Sequence, residues 1–339
     1  MTNHVRSVDL GESAGVPLTP TASRAGRPRC NQEGFALLAV MLVLALLGAI
    51  VAEFAFSMRL EATMVRHFKE EVLASHLAEA GVQRAIREVL AASVVQGLDD
   101  DGQFVFYKDQ THRLPLLERK DVALGQGQWS YAISDEESRI NLNSASPDLL
   151  DRLLNTLGVE KQERDPIIAS IQDWKDPDEF YRLNGAESDD YYLKLRTPYR
   201  SKNGSFDSVR ELLQVKGVTR EIFDGTSERP GLKEFLTVAG SGQVNINTAP
   251  ETVLKSLGLS EAEITEIEQS RQNQPYTIVP PRFSGRNLTT QSRSFRIDST
   301  GFVDGQPRYR VVATIQRKVE PGGASSPVIL SWEARSPAP

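Results

Sequence analysis

The sequence predicts an α+β protein, and three patterns support this fold class. An uncharged apolar run from residue 35 to 52 continues into an amphipathic pattern that ends near residue 92, which predicts one long N-terminal helix. Leucine-rich segments that begin after a proline predict shorter helices in the middle of the chain. Alternating apolar and polar residues on both sides of this middle part predict β-strands.

The N-terminal 34 residues form a polar, basic leader that ends at Gly34. An ordinary secretory signal is cleaved after its apolar core and so loses that core. Here the apolar run begins directly after Gly34, with Phe35 as its first residue. We therefore expect cleavage before the apolar run, which leaves a hydrophobic helix at the N-terminus of the mature chain.

The apolar run is long enough to cross a membrane. Residues 35–52 carry no charge and would rise about 27 Å as a helix, close to the thickness of a bilayer core. The apolar residues that follow extend the span to residue 58. Arginines in the leader flank its start, and the positive-inside rule then places the N-terminus in the cytoplasm and the rest outside. On hydropathy alone, a plain single-span anchor is the alternative.

The helix is expected to continue beyond the membrane. From Leu60 to about Ala92 the chain contains no proline, and apolar residues recur every three or four positions. This half should pack on a sheet, to which the alternating segment Trp129–Ile133 contributes a strand. Residues 294–300, 309–319 and 328–333 read as three further strands after a proline-containing linker at 275–287.

The middle of the chain contains two similar segments. Residues 140–145 (Ile-Asn-Leu-Asn-Ser-Ala) align with residues 244–249 (Val-Asn-Ile-Asn-Thr-Ala). Each is followed by proline and an acidic residue, which is a helix start, and then by a leucine-rich helix that ends in Leu-Gly. We predict two related helical units that flank a longer helical insert.

The junction between the leader and the helix resembles that of the type IV pilin and pseudopilin family. The resemblance implies that a prepilin peptidase cleaves after Gly34 and methylates the new N-terminal residue, Phe35. The family usually has glutamate at the fifth mature position, where this chain has Ala39. In the family that carboxylate pairs with the N-terminal amine of the neighbouring subunit. Its absence is typical of the K-type minor pseudopilins of type II secretion.

Other segments are similar to the same K-type family. They include the Ser138–Asn143 motif and the acidic motif around Trp174, and the chain is longer than a usual pseudopilin. The resemblance implies a pilin-like long helix packed on an antiparallel sheet, with a large, mostly helical domain inserted between the strands. The expected parts are a leader (1–34), a transmembrane half-helix (35–58), a periplasmic helix with the first strands (59–140), the inserted helical domain (141–280) and the C-terminal strands (281–339).

The resemblance also implies function and partners. A minor pseudopilin of this type is expected at the tip of the pseudopilus, where it initiates or caps assembly for protein export across the outer membrane. Its implied partners are the I- and J-type minor pseudopilins, then the H type, the major pseudopilin and the prepilin peptidase. The implied location is the bacterial inner membrane, with a single pass and a periplasmic C-terminal domain. A minor pilin of a type IV pilus, for adhesion or DNA uptake, is the main alternative.

An acidic cluster is the one candidate for a metal site. Repeated carboxylates in a turn-rich segment suit a hard cation, although the spacing is not that of an EF-hand and helix caps with a solvated surface would also explain it. The family resemblance implies structural Ca²⁺ in the inserted domain. The candidate ligands are Asp173, Asp176, Asp178, Glu187 and Asp190.

Composition and motifs argue against two further functions. A net charge of −6 disfavours nucleic acid as a partner, so the helix-hairpin-helix-like segment at 209–219 is read as a packing element. No P-loop, zinc-protease or serine-hydrolase motif occurs, and the protein is not expected to be an enzyme. A single-span membrane enzyme with an unrecognised site has little support. The single cysteine, Cys30, lies in the leader.

Overall fold

The computed structural model describes residues 32–91, 95–321, 323 and 325–335, with side chains from residue 35 onward. Most of the predicted leader, including Cys30, therefore lies outside the described residues. The chain divides into two compact units, residues 1–64 and residues 65–339.

The structure contains six α-helices in its described part, and the strands fall before, within and after the helical region. The helices are α1 (Gln32–Ala91), α2 (Pro147–Thr156), α3 (Lys161–Lys175), α4 (Arg220–Asp224), α5 (Glu251–Ser256) and α6 (Glu261–Asn273). The strands are β1 (Val95–Leu98), β2 (Phe104–Tyr107), β3 (Val122–Leu124), β4 (Gly127–Asp135), β5 (Ile140–Asn141), β6 (Leu236–Thr237), β7 (Val244–Asn245), β8 (Leu288–Thr289), β9 (Ser294–Val303), β10 (Gln306–Val319) and β11 (Ser325–Arg335). Short 3-10 helices lie at Glu136–Ser138, Tyr192–Lys194, Val209–Gln214, Leu232–Glu234 and Pro281–Phe283.

A five-stranded antiparallel sheet carries the second half of α1. Its strand order is β11-β10-β9-β4-β3, so β4 and β9 pair although about 160 residues separate them in sequence. Alternate residues of β9 and β10 are buried beneath the helix, as expected for strands with one covered face. Residues of α1 from Ala74 to Val89 supply the other side of this core.

Helix and sheet approach each other closely enough to require glycine. A Cβ at Gly301 of β9 would lie 2.0 Å from the carbonyl oxygen of Ala74 in α1. A Cβ at Gly81 of α1 would lie 2.2 Å from the hydroxyl of Ser299. Both distances are far below van der Waals contact. At Gly301 the helix and strand backbones meet because no side chain separates them, whereas Gly81 faces the side chain of Ser299.

A mostly helical domain is inserted between β4 and β9. Helices α2 and α5 follow the two short strands β5 and β7, and they pack against each other. Each ends in Leu-Gly with the glycine in the left-handed region, at φ 73° for Gly158 and 82° for Gly258. The predicted fold class, a long helix on an antiparallel sheet with an inserted helical domain, is confirmed.

Two buried acids, Asp135 and Glu137, join the insert to the sheet. Asp135, at the end of β4, accepts hydrogen bonds from Thr248 at 2.5 Å and from Ser292 at 2.6 Å. Glu137 accepts the backbone N–H groups of Arg293 and Ser294 at 2.7 and 3.0 Å. Desolvation, opposed by these hydrogen bonds, raises the pKa of Glu137 to about 7. The two ends of the insert are thus held together at one point.

Two segments differ from the sequence expectations. The polar segment 97–111 contains the turn of a β-hairpin, β1–β2, for which no strands were predicted from its sequence. The helix-hairpin-helix-like segment begins with a 3-10 helix at Val209–Gln214 and continues into α4. Its hairpin glycine, Gly217, lies against Ile167 of α3, in keeping with a packing role.

Candidate functional site

The first half of α1 is apolar and has no partner within the described chain. Every side chain from Phe35 to Lys69 is exposed, including Phe35 at 77% and Leu42 at 65%. This helix is long and apolar enough to cross a membrane. Exposed apolar surface on this scale requires lipid or the helices of other subunits around it.

The predicted processing junction lies at the start of this helix. Gly34 belongs to α1, and Phe35 is the first residue whose side chain is described. Ala39, which occupies the position of the usual family glutamate, is exposed on the same apolar helix. The described span from Phe35 to Ala52 therefore contains no carboxylate that needs a partner in lipid.

The acidic cluster of the inserted domain centres on Asp173, whose side chain is completely buried in α3. Its carboxylate accepts hydrogen bonds from the backbone N–H groups of Arg182, at 3.1 Å, and Ala186, at 2.9 Å. It also accepts one from the Arg182 guanidinium at 2.7 Å. The same guanidinium group forms an ion pair with Asp176. Arg182 therefore neutralises two of the predicted ligands in this structure.

Glu187 is the second buried carboxylate of the cluster. One of its oxygens accepts a hydrogen bond from the Ser201 hydroxyl at 2.8 Å, while the other is buried without a partner. Desolvation raises the pKa of Glu187 to about 7, and the negative charges of Asp173, Asp176 and Glu179 act in the same direction. A buried carboxylate in this environment lacks the positive charge that would favour its ionised form.

Two further oxygens near this carboxylate are also buried and unpartnered. They are Oδ1 of Asp176 and Oδ1 of Asn203. The Asn203 amide donates to Glu179 at 3.2 Å, and Ser188 donates to Glu179 at 3.1 Å. Carboxylate and amide oxygens are the type of ligand that Ca²⁺ uses in proteins, so these three unpartnered oxygens have the chemistry that a hard cation needs.

The structure does not assemble the predicted ligand set as a whole. Asp178 caps the exposed N–H of Phe180, and Asp190 is half exposed and faces Lys194 at 3.8 Å. In the part of the chain that the structure describes, no three His, Cys, Asp or Glu side chains converge as a metal site would require. Ca²⁺ itself stays a prediction.

Sequence reasoning missed several members of this cluster. Arg182, Ser188, Ser201 and Asn203 contribute through the folding of a loop, and no spacing rule relates them to Asp173. Glu179 stands in the acidic motif itself but was left out of the ligand set. In the sequence, the signal for this cluster is the excess of acids over bases in a segment that also contains aromatic residues, which the structure buries.

No catalytic arrangement is found among the described residues. Three histidines lie on the surface, where His112 pairs with Asp109 at 2.9 Å and the others face glutamates of α1. A cavity of about 640 Å³ lies beside the Pro281–Phe283 turn and has no titratable residue in its lining. Neither feature places a nucleophile next to a base.

Comparison with known proteins supports the family resemblance. Residues 131–227 match the family model described as type II secretion system (T2SS), protein K. The chain is 27% identical to the type II secretion system protein K of Pectobacterium carotovorum over 73% of this chain and 76% of that protein. For the protein K of Pseudomonas aeruginosa the identity is 26%, over 68% and 69% respectively. A relative from Escherichia coli K12 is 29% identical, but the alignment spans only 60% of its length.

A solved structure shares the fold. It is a chain of the GspK-GspI-GspJ complex from the type 2 secretion system of enterotoxigenic Escherichia coli. The TM-score is 0.62 at 16% identity, and the match covers 82% of this chain and 100% of that chain. Together these matches confirm the predicted resemblance to K-type minor pseudopilins and favour it over a type IV pilus minor pilin. The relatives are named as components of a type II secretion system.

Proposed function

We propose that this chain is a K-type minor pseudopilin of a type II secretion system, which forms the tip of the pseudopilus and initiates or caps its assembly. The observation that carries the proposal is Ala39, on an apolar helix half that is exposed throughout. A subunit with another subunit above it gains from a carboxylate that pairs with the next N-terminal amine. A topmost subunit has no such amine, and a carboxylate there would remain unpaired in an apolar environment.

The proposed partners follow from the same helix and from the solved relative. The relative's title names a complex with GspI and GspJ, and we propose the I- and J-type minor pseudopilins as lateral neighbours of this chain. The H type and the major pseudopilin would follow below them. We propose that prepilin peptidase cleaves after Gly34 and methylates Phe35. Residues 35–58 then hold the chain in the inner membrane, with residues 65–339 in the periplasm.

Introducing the missing carboxylate tests the tip position. Ala39→Glu should reduce pseudopilus formation and protein export by at least about tenfold, because a carboxylate without a partner costs about 2.5–3.5 kcal/mol at membrane depth. The measurement is the yield of pseudopilus fibres and exported protein in cells whose own copy of the gene is deleted. Ala39→Gln is the matched control, since it adds a similar volume without the charge.

Two comparisons decide the outcome. The fibre yield and the protein export of Ala39→Gln should equal those of the unsubstituted chain. The unsubstituted chain and both variants should be present in the membrane as mature protein in equal amounts. Normal fibre yield from Ala39→Glu would contradict the tip position, because the added carboxylate would then have found the amine of a subunit above it.

We further propose that the unpartnered oxygens of Asp176, Glu187 and Asn203 hold a structural Ca²⁺ ion. When bound, the ion supplies positive charge to oxygens that are otherwise buried without partners. These residues belong to a loop and to the segments on which it packs. Holding them together should stabilise the unit of residues 65–339, which we call the head. This ligand set replaces the one predicted from sequence, of which it retains Asp176 and Glu187.

Removal of the metal should therefore lower thermal stability. For the full-length protein in detergent, Ca²⁺ at one hundred times its dissociation constant should add about 2.7 kcal/mol to the free energy of unfolding, and EDTA should reverse this. Glu187→Gln should abolish most of the gain, whereas Asp190→Asn should preserve it. Absence of Ca²⁺ binding by calorimetry, together with no effect of EDTA on the melting temperature, would contradict the proposal.

A further inference from the structure

A short loop of the inserted domain exposes three large apolar side chains. Phe180 is 84% exposed, Tyr181 is 59% exposed and Leu183 is 87% exposed. We call residues 176–186 the apolar loop. Most other exposed apolar side chains of the described chain lie on α1 or on the edge strand β11. Three such side chains within four positions, on a folded head, are unusual for a surface without a partner.

The backbone of the apolar loop is held by hydrogen bonds to the side chains of Asp173 and Lys216. Asp173, which is completely buried, accepts both the N–H of Arg182 and the N–H of Ala186. The ammonium group of Lys216 donates to the carbonyl of Gly185 at 2.9 Å. A Cβ at Gly185 would lie 1.9 Å from the Asp173 carboxylate, so the loop touches its support directly.

The apolar side chains are therefore presented by a fixed backbone rather than by a loose one. A binding residue whose backbone is already ordered loses little conformational entropy on association. A few residues, often tyrosine, account for most of the energy of a protein interface. Tyr181 is such a residue, and the exposed side chains of Phe180 and Leu183 lie beside it in sequence.

The charges around the loop define the partner. Asp178, Glu179 and Asp189 are exposed acids close in sequence to the apolar residues, and none of them forms an ion pair within the described chain. The nearby bases are already engaged, since Arg182 pairs with Asp173 and Asp176 and Lys216 donates to the carbonyl of Gly185. This negative rim repels anionic lipid headgroups. The negative rim favours a protein surface with lysine and arginine around an apolar pocket. Complementary charges of this kind attract the two proteins and speed their diffusional encounter.

We propose that Phe180, Tyr181 and Leu183 form a docking surface for a protein that offers an apolar pocket with a basic rim. The surface belongs to the head and is distinct from the membrane half of α1. The inference rests on the proposed function only in placing this head in the periplasm.

Photo-crosslinking in living cells tests the proposal on the full-length chain. The photoreactive amino acid p-benzoylphenylalanine replaces Tyr181, and in a control chain it replaces Ile278, which is 74% exposed on another loop. Position 181 should yield a discrete adduct with one protein, whose crosslinked peptide, mapped by mass spectrometry, lies among apolar residues flanked by lysine or arginine. With the purified partner, association should weaken when NaCl is raised from about 50 to about 500 mM.

The second variant separates docking from folding. Phe180→Ser combined with Leu183→Ser should reduce the adduct at least tenfold, while the melting temperature stays unchanged because both side chains are exposed. Adducts with lipid, an equal adduct from position 278, no adduct, or an adduct unaffected by the double substitution would each overturn the proposal. The double variant should be cleaved normally and should form fibres in normal yield. Failure of the proposed tip function would instead remove the fibres, so the two proposals can fail independently.

Discussion

Gly301→Ala should destabilise the head by about 2–4 kcal/mol, near the upper end for overpacking in a core. The added Cβ would lie 2.0 Å from the carbonyl oxygen of Ala74 and 3.1 Å from its Cα. These are backbone atoms of α1 and cannot rotate away as a side chain would. The helix must shift from the sheet, which opens the core at Ala74, Leu77 and Ala78.

Chemical or thermal unfolding of the full-length protein in detergent measures this effect, and a fall in melting temperature of roughly 5–10 °C is expected. Gly204→Ala is the matched control. Its nearest neighbour would be the carbonyl oxygen of Lys202 at 3.8 Å, which is ordinary contact. Equal melting temperatures for Gly301→Ala and Gly204→Ala would show that α1 does not approach β9 as closely as described.

Asp173→Ala should cost about 2–4 kcal/mol in the unfolding free energy. The substitution removes the acceptor for the backbone N–H groups of Arg182 and Ala186, and each buried donor left without a partner costs about 1–3 kcal/mol. It also leaves a cavity beneath the apolar loop. The charge of Arg182 adds little to this cost, because its side chain is 48% exposed and keeps Asp176 as a partner.

Asp178→Ala is the control for this prediction. Asp178 belongs to the same acidic motif, but its carboxylate caps only the exposed N–H of Phe180. We expect a loss of about 1 kcal/mol or less for this change. The two variants are compared by unfolding in EDTA, so that metal binding does not contribute. A cost for Asp178→Ala as large as that for Asp173→Ala would contradict the assigned support of the loop.

The long helix and the strands of the sheet could be predicted from sequence because they have local periodicity. Apolar residues at helical spacing placed α1, which begins at Gln32 and ends at Ala91. The alternating burial of Ser294–Val303 likewise matches the predicted strand that starts at residue 294. The insertion of a helical domain between strands of the sheet came from the family resemblance, and the order of the strands was not predicted, since no local pattern pairs β4 with β9.

Contacts between distant residues could not be predicted in this way. Asp135 is held by Asn245, Thr248 and Ser292, which are more than one hundred residues away in sequence. Gly301 is required by the carbonyl oxygen of Ala74, and nothing in the sequence around Gly301 indicates that contact. Local composition identified an acidic segment, but which of its carboxylates are buried depends on the path of the loop.

The hairpin β1–β2 was missed for a related reason. Its turn is a run of three aspartates before Gly102, which adopts a positive φ of 71°. The two strands that flank this turn have only four residues each, and the stretch around them is polar. Their stability comes from Phe104 and Phe106, which pack against Phe295 of β9.

The central claim is that the apolar helix becomes the N-terminus of a mature subunit that assembles into a fibre. The intact mass and N-terminal sequence of the protein from native membranes test it most directly. The account predicts a chain that begins at Phe35 and carries one additional methyl group. An uncleaved chain, or one cleaved after the apolar run, would contradict the account and leave an anchored or secreted protein with no basis for assembly.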